Sequence, residues 1–123
     1  MKPIVFIDVN KLSEKFLSRE RGHEAASKFY TDYYNSEVMG INLDAAETVS
    51  LSFLDGLILT LAPRVILNQV VFRTARADVY DKLACISGAR KITLYDDLKK
   101  PIKPKQIKED KLQFVNDRAL IEV

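Results

Sequence analysis

Between Met39 and Ala62 the chain passes from an apolar run of strand length into one of helix length. MGINLD is followed by the polar stretch AAETVS and then by LSFLDGLILTLA. In the second run Phe53, Leu54, Leu57, Ile58 and Leu61 recur at spacings of 1, 3, 1 and 3, which is one broad face of a core-packed helix. Asp55 and Gly56 lie between those positions, and Pro63 ends the helix. The spacing predicts a strand over Met39–Asp44 and a helix opening at Ser50 to Ser52. The hydroxyls of Ser50 and Ser52 suit a helix start, where free backbone N–H groups need acceptors. A strand feeding a helix through a short loop is half of a βαβ unit. In parallel sheets, sites collect at the carboxyl ends of strands, so the loop from Asp44 to Ser52 is the first place to look for one.

The rest of the chain repeats the alternation. Ile4 to Val9 (IVFIDV) reads as a strand. Lys11 to Leu17 fits either a hairpin extension or a helix start. Ser18 is placed to cap a helix, although Arg21 stands where a capping box would have Glu or Gln. Ala25, Ala26, Phe29 and Tyr33 then recur at helical spacing to about Tyr34. Val70 to Thr74 (VVFRT) reads as a third strand. Ala77 to Ile86 reads as a helix with Val79, Leu83 and Ile86 inward, stopped by Ser87 and Gly88, the glycine suiting a left-handed residue. Lys91 to Tyr95 (KITLY) reads as a fourth strand. Strands joined by single helices favour parallel pairs with right-handed crossovers. The expected class is α/β, a sandwich with a central, mostly parallel sheet and helices packed on it.

At 123 residues the chain suits one domain. Nineteen Lys and Arg against 17 Asp and Glu give a net charge of +2, too weak to argue for nucleic acid. Cys85, the one cysteine, has no partner for an internal disulfide. It fits a reducing cytoplasm and falls in an apolar helical pattern as a small core residue. No apolar run has the length of a membrane span, and Asp8 and Asn10 interrupt the apolar N-terminus that a signal peptide would need. A cytoplasmic protein is expected. Lysine-rich residues 99–111, with Pro101 and Pro104, read as a solvated linker. Residues 112–123 (LQFVNDRALIEV) read as an apolar tail that adds an edge strand or mediates a homodimer. The main domain is then 1–98.

Three pieces of the chain resemble the STAS domain, named for sulfate transporters and anti-sigma-factor antagonists, and more narrowly the STAS-like family of unknown function. The first is Ser18-Arg19-x-x-Gly22 leading into a helix. The second is Ile41-Asn-Leu-Asp44 followed by Val49-Ser50-Leu51-Ser52-Phe53-Leu54-Asp55. The third is Val70-Val-Phe-Arg-Thr74, a helix ending Leu83-x-x-x-Ser87-Gly88, and Lys91-Ile-Thr-Leu-Tyr95. Together they cover about residues 4–98. The resemblance implies a bacterial, non-enzymatic regulatory domain that binds a protein partner, an ATPase or kinase of the GHKL type or an anti-sigma-like protein, with no cofactor. In anti-sigma-factor antagonists the loop before the central helix carries Asp-Ser-Ser-Gly, and phosphorylation of one serine breaks the complex. The matching tetrad here is Ser50-Leu51-Ser52-Phe53. The usual acceptor position falls on Leu51, which leaves Ser50 and Ser52 as phosphoacceptor candidates.

A phosphate at either serine would meet the positive end of the helix dipole and would repel an acidic partner. Asp55, Arg73 and Arg76 are candidate partner-binding residues. Arg73 and Arg76 are expected at the carboxyl end of the sheet, on the side of the serines. Ser18, Arg19, Arg21 and Gly22 form a candidate anion site, two guanidiniums beside a helix start. His23 reads as an exposed turn residue, and its spacing from Cys85 supports no metal site. Tyr30, Tyr33 and Tyr34 read as a core edge. No set of nucleophile, histidine and acid suggests catalysis. Two other readings stand beside this one. Phe6-Ile7-Asp8-Val9-Asn10 resembles the opening of PIN-type nucleases, for which Asp8, Glu47, Asp78 and Asp96 or Asp97 would hold magnesium. The other is a nucleotide-sensing module, since some STAS domains resemble nucleotide binders.

Overall fold

Four strands pair side by side into one parallel sheet in the structure, a computed structural model describing residues 4–35, 38–65 and 67–105. The strands are β1 (Val5–Asp8), β2 (Met39–Asn42), β3 (Val70–Arg73) and β4 (Tyr95–Asp96), in spatial order β1-β2-β3-β4. Val5, Met39 and Val70 share one register row, and Ile7, Ile41 and Phe72 another. Between the strands run α1 (Arg19–Asp32), α2 (Leu51–Leu61) and α3 (Ala77–Arg90). Strand order follows chain order, so right-handed crossovers carry all three helices to the same face. The core agrees with that arrangement. Met39, Ile41, Val70, Phe72 and Leu94 are buried in one cluster with Ala25, Ala26 and Phe29 of α1, the α2 stripe, and Val79, Leu83 and Ile86 of α3.

α2 is the centre of this layer, and every residue from Phe53 to Ile58 is buried. A helix apolar nearly all round belongs inside a fold, and burying each of its large side chains contributes about 1.5–3 kcal/mol. α1 crosses it closely. A Cβ on Gly22 would collide with the Phe53 carbonyl oxygen, and one on Gly56 with the Arg19 carbonyl oxygen. Only glycines let the two backbones approach this far.

Phe6, Gly40, Val71 and Tyr95 share a register row pointing to the other face of the sheet. There the Phe6 ring lies over Gly40, where no Cβ intervenes, and the Arg73 guanidinium stacks 3.5 Å from the centre of the Phe6 ring.

Several element ends differ from the sequence expectation. β2 stops at Asn42 rather than Asp44, because the Asn42 side chain accepts a hydrogen bond from the Asp44 N–H (3.2 Å) and turns the chain into a 3-10 turn, Leu43–Ala45. Lys11 to Leu17 continues neither a hairpin nor a helix; a 3-10 turn, Val9–Lys11, leads into an irregular segment. α3 runs through Ser87 and Gly88 to Arg90. The left-handed residue that closes it is Lys91 (φ 56°), not Gly88. Of the strand expected over Lys91–Tyr95, only Tyr95 pairs with β3, together with Asp96. Cys85 is half-buried rather than a core residue. Tyr33 and Tyr34 pack on the core edge, while Tyr30 stacks on Tyr34 from a more exposed position (centroids 5.9 Å apart).

Residues 99–105 are not a solvated linker. The Asp96 carboxylate accepts the Leu98 and Lys100 N–H groups, and Tyr95 bridges Pro101 antiparallel. Ile102 donates to the Leu94 carbonyl (2.8 Å) and is buried, and the Lys105 N–H reaches the Ala84 carbonyl. The segment therefore closes the β4 edge, with its lysines facing outward. The rest of the expected linker, 106–111, and the expected tail or dimer element, 112–123, lie outside the described residues. Among the described residues, no helix is long and apolar enough to cross a membrane.

Candidate functional site

Among the described residues the strand order never reverses direction across the sheet, so these strands form no crevice of the switch-point kind. The features available at the carboxyl ends of the strands are the loops and helix starts built there. Two helices begin side by side. Ser50 caps α2, its hydroxyl oxygen accepting the Phe53 N–H (3.0 Å). Ser18 caps α1 in the same way, accepting the Arg21 N–H (3.2 Å). The two starts are stitched together by Ser50. Its N–H donates to the Phe16 carbonyl (2.9 Å), and its hydroxyl donates to the Leu17 carbonyl (2.8 Å). The Phe16 ring meets Phe53 of α2 edge-on at 5.5 Å. Beside these contacts lies a cleft of about 460 Å³ lined by Lys15, Phe16, Leu17, Ser18, Arg21 and Thr48.

The segment that leads into α2 is clamped from the third strand and helix. Arg76 donates from Nε to Asp44 (3.1 Å), from Nη2 to the Leu43 carbonyl (3.0 Å), and from Nη1 to the Glu47 carbonyl. The Asp44 carboxylate also accepts the Thr74 hydroxyl (2.6 Å) and the Ala75 N–H (2.7 Å). Partial burial pushes the Asp44 carboxyl up. The Ala75 N–H, the Thr74 hydroxyl and the Arg76 guanidinium outweigh it and hold the group below the ordinary carboxylate value. Lys82 adds a bond to the Val49 carbonyl (2.8 Å).

Beneath this surface Asp55 is buried between two arginines. Arg90 makes two hydrogen bonds to its carboxylate, and Arg19 Nη2 lies 2.6 Å from Oδ2. The Arg19 contact is ionic rather than an aligned hydrogen bond, and Arg19 Nε is buried without an acceptor among the described residues. Hydrogen bonding to Asp55 raises the Arg90 guanidinium above its already high value against the opposing effect of burial.

The expected site residues therefore separate. Ser50, Ser52, Ser18 and Arg21 do stand near one another at the helix starts. Asp55 is not a surface contact: it is 1% exposed and its oxygens face Arg19 and Arg90. Arg19 cannot join Arg21 in an anion site, because its guanidinium turns inward to Asp55, and Gly22 is taken up by the crossing with α2. Arg21 pairs with exposed Glu24 (3.2 Å). Arg76 is a half-buried clamp on the 43–47 segment. Arg73 does not share the serines' surface; it lies on the sheet face opposite the helices, on Phe6 and near Asp97 (3.4 Å). His23 contacts Thr60 through Nδ1. Among the acids of the nuclease reading, Asp8 accepts from Asn42, Asp97 pairs with Arg73, and Asp96 is occupied by its own turn. Among the described residues, no group of three or more His, Cys, Asp or Glu is placed to hold a metal ion. The residues sequence reasoning missed are Lys15, Phe16, Leu17 and Thr48 at the cleft, and Lys82 and Arg90. Lys11–Leu17 has no periodicity to mark it, and Arg90 is paired to a residue 35 positions away.

Comparison of the chain with protein-family models, with curated proteins and with solved structures returns no match.

Proposed function

We propose that this chain is a STAS-like regulatory domain that acts by binding a protein partner in the cytoplasm rather than by catalysis. The partner surface is the pair of helix starts around Ser18 and Ser50, and the switch is phosphorylation of Ser52 by a partner kinase of the GHKL type. The observation that carries the choice of residue is the contrast between the two serines. The Ser50 hydroxyl both donates and accepts, so modifying it would break the cap and the tie to Leu17. Ser52 is half-buried on the first turn of α2, and its hydroxyl makes no hydrogen bond to a described residue. A phosphate there would sit on the first turn, where the helix dipole favours negative charge. The parallel β-α-β order and the strand-loop-helix at 39–61 support the STAS-like reading.

The experiment is intact-mass analysis after co-expression with the adjacent-gene product, using the parent chain, Ser50→Ala and Ser52→Ala. The expected result is a gain of one phosphate that disappears only in Ser52→Ala, with loss of the complex on modification. The absence of both phosphate and complex would overturn the reading. A phosphate that persists in Ser52→Ala would overturn the choice of residue.

A further inference from the structure

The cleft beside the helix starts has a chemistry that its neighbours do not use. Phe16 and Leu17 give it an apolar floor, and Leu17 is 64% exposed and open to a partner. The floor is fixed from below by the two Ser50 bonds and the Phe16–Phe53 contact. The charged residues that line it are Lys15 and Arg21, both cationic. Among the described residues no carboxylate lines it: Glu24 pairs with Arg21, and Glu14 and Glu20 are exposed but not part of the wall. The Lys15 ammonium has no partner among the described residues, and the Arg21–Glu24 pair is exposed on both sides and so contributes little and exchanges readily. Ser18 and Thr48 complete the lining.

We propose that this cleft seats an acidic segment of the protein partner. One apolar side chain of that segment covers Leu17 and Phe16, and an adjacent carboxylate lies between Lys15 Nζ and the Arg21 guanidinium. The proposal rests on the protein-binding reading above and names the partner's chemistry. An apolar floor supplies the area, and the basic rim selects charge and speeds encounter. Because the floor is preformed, little ordering opposes binding.

The test uses the full chain, ¹⁵N-labelled, and two capped probe peptides, Glu-Asp-Phe-Glu-Asp and its basic counterpart Lys-Lys-Phe-Lys-Lys. The acidic probe is expected to move the amide signals of residues 15–21 and Thr48, and the basic probe to leave them in place. Lys15→Ala with Arg21→Ala should weaken acidic binding roughly tenfold, and Leu17→Asp should abolish it, while thermal melts remain those of the parent. Equal shifts from both peptides, shifts centred elsewhere, or binding indifferent to these substitutions would overturn the proposal. Co-purification with the neighbouring gene product separates the two readings. A complex that survives Leu17→Asp and the double variant keeps the partner reading and removes the cleft. Acidic-probe binding at the cleft without any such complex keeps the cleft and removes that partner.

Discussion

Asp55, near the middle of α2, holds Arg90, the last residue of α3, through paired hydrogen bonds of 3.1 Å and 2.7 Å, while Arg19 from the start of α1 reaches the same carboxylate. One acid thus joins three helices. Its carboxylate carries two guanidiniums. Removing the acid is the costly change, because it leaves Arg19 buried and uncompensated. Asp55→Ala should lower stability by about 3–5 kcal/mol, read as a shift in the urea midpoint at unchanged slope. Arg90→Ala should cost clearly less, since Arg90 is partly exposed and Arg19 remains with Asp55. Equal effects would mean that Asp55 is not the hub.

The α1–α2 crossing makes a prediction with a sign opposite to helix propensity. In an exposed helix, Gly→Ala stabilises by about 1 kcal/mol. Here a Cβ on Gly22 or Gly56 would meet backbone of the other helix rather than a side chain that can turn aside. Gly22→Ala and Gly56→Ala should each destabilise by roughly 1–3 kcal/mol in thermal or urea unfolding. A stabilised variant would show that the helices are farther apart than this structure places them.

Periodicity made the order of strands and helices legible, and with it the parallel sheet, because each apolar run had a length and spacing of its own. Element ends were less legible, since local side-chain bonds decide them. Asn42 turns the chain after β2, and Lys91 rather than Gly88 adopts the left-handed closure of α3. The burial of Asp55 had a signal: an acid within LSFLDGLILTL, apolar on nearly every side, has little solvent to face. Its partners had none, because Arg19 and Arg90 come from distant parts of the chain and look like ordinary helix-end charges. Ser50 was legible as a cap, while Ser52, read with it as a helix-start hydroxyl, caps nothing among the described residues. The difference between them was not legible, because it depends on the Leu17 carbonyl, which belongs to a segment without pattern.

Asp44 gives a pH dependence. Its carboxyl is held below the ordinary value of 3.8 by hydrogen bonds made only in the folded chain. The stability it contributes is therefore complete above the unfolded value and is lost as pH falls through the lower, folded one. Asp44→Asn should be less stable than the parent near neutral pH, and the gap should narrow below about pH 4. Urea midpoints of both proteins measured from pH 7 downward give the comparison. A gap that stays constant into acid would assign the loss to shape rather than charge.

The two serines of the α2 start should part in a stability measurement made without any partner. Ser50→Ala removes the cap acceptor for Phe53 and the donor to Leu17 together, and so loosens both the helix start and the segment below the cleft. A lost cap costs about 1 kcal/mol, and a second lost hydrogen bond adds a similar amount. Ser52→Ala removes a hydroxyl bonded to no described residue and should change stability by about 0.5 kcal/mol or less. Amide exchange should localise the Ser50→Ala effect to residues 16–18 and the first turn of α2. If Ser52→Ala proves the more damaging of the two, its hydroxyl is structural, and the reason for choosing it over Ser50 as the modified residue is gone.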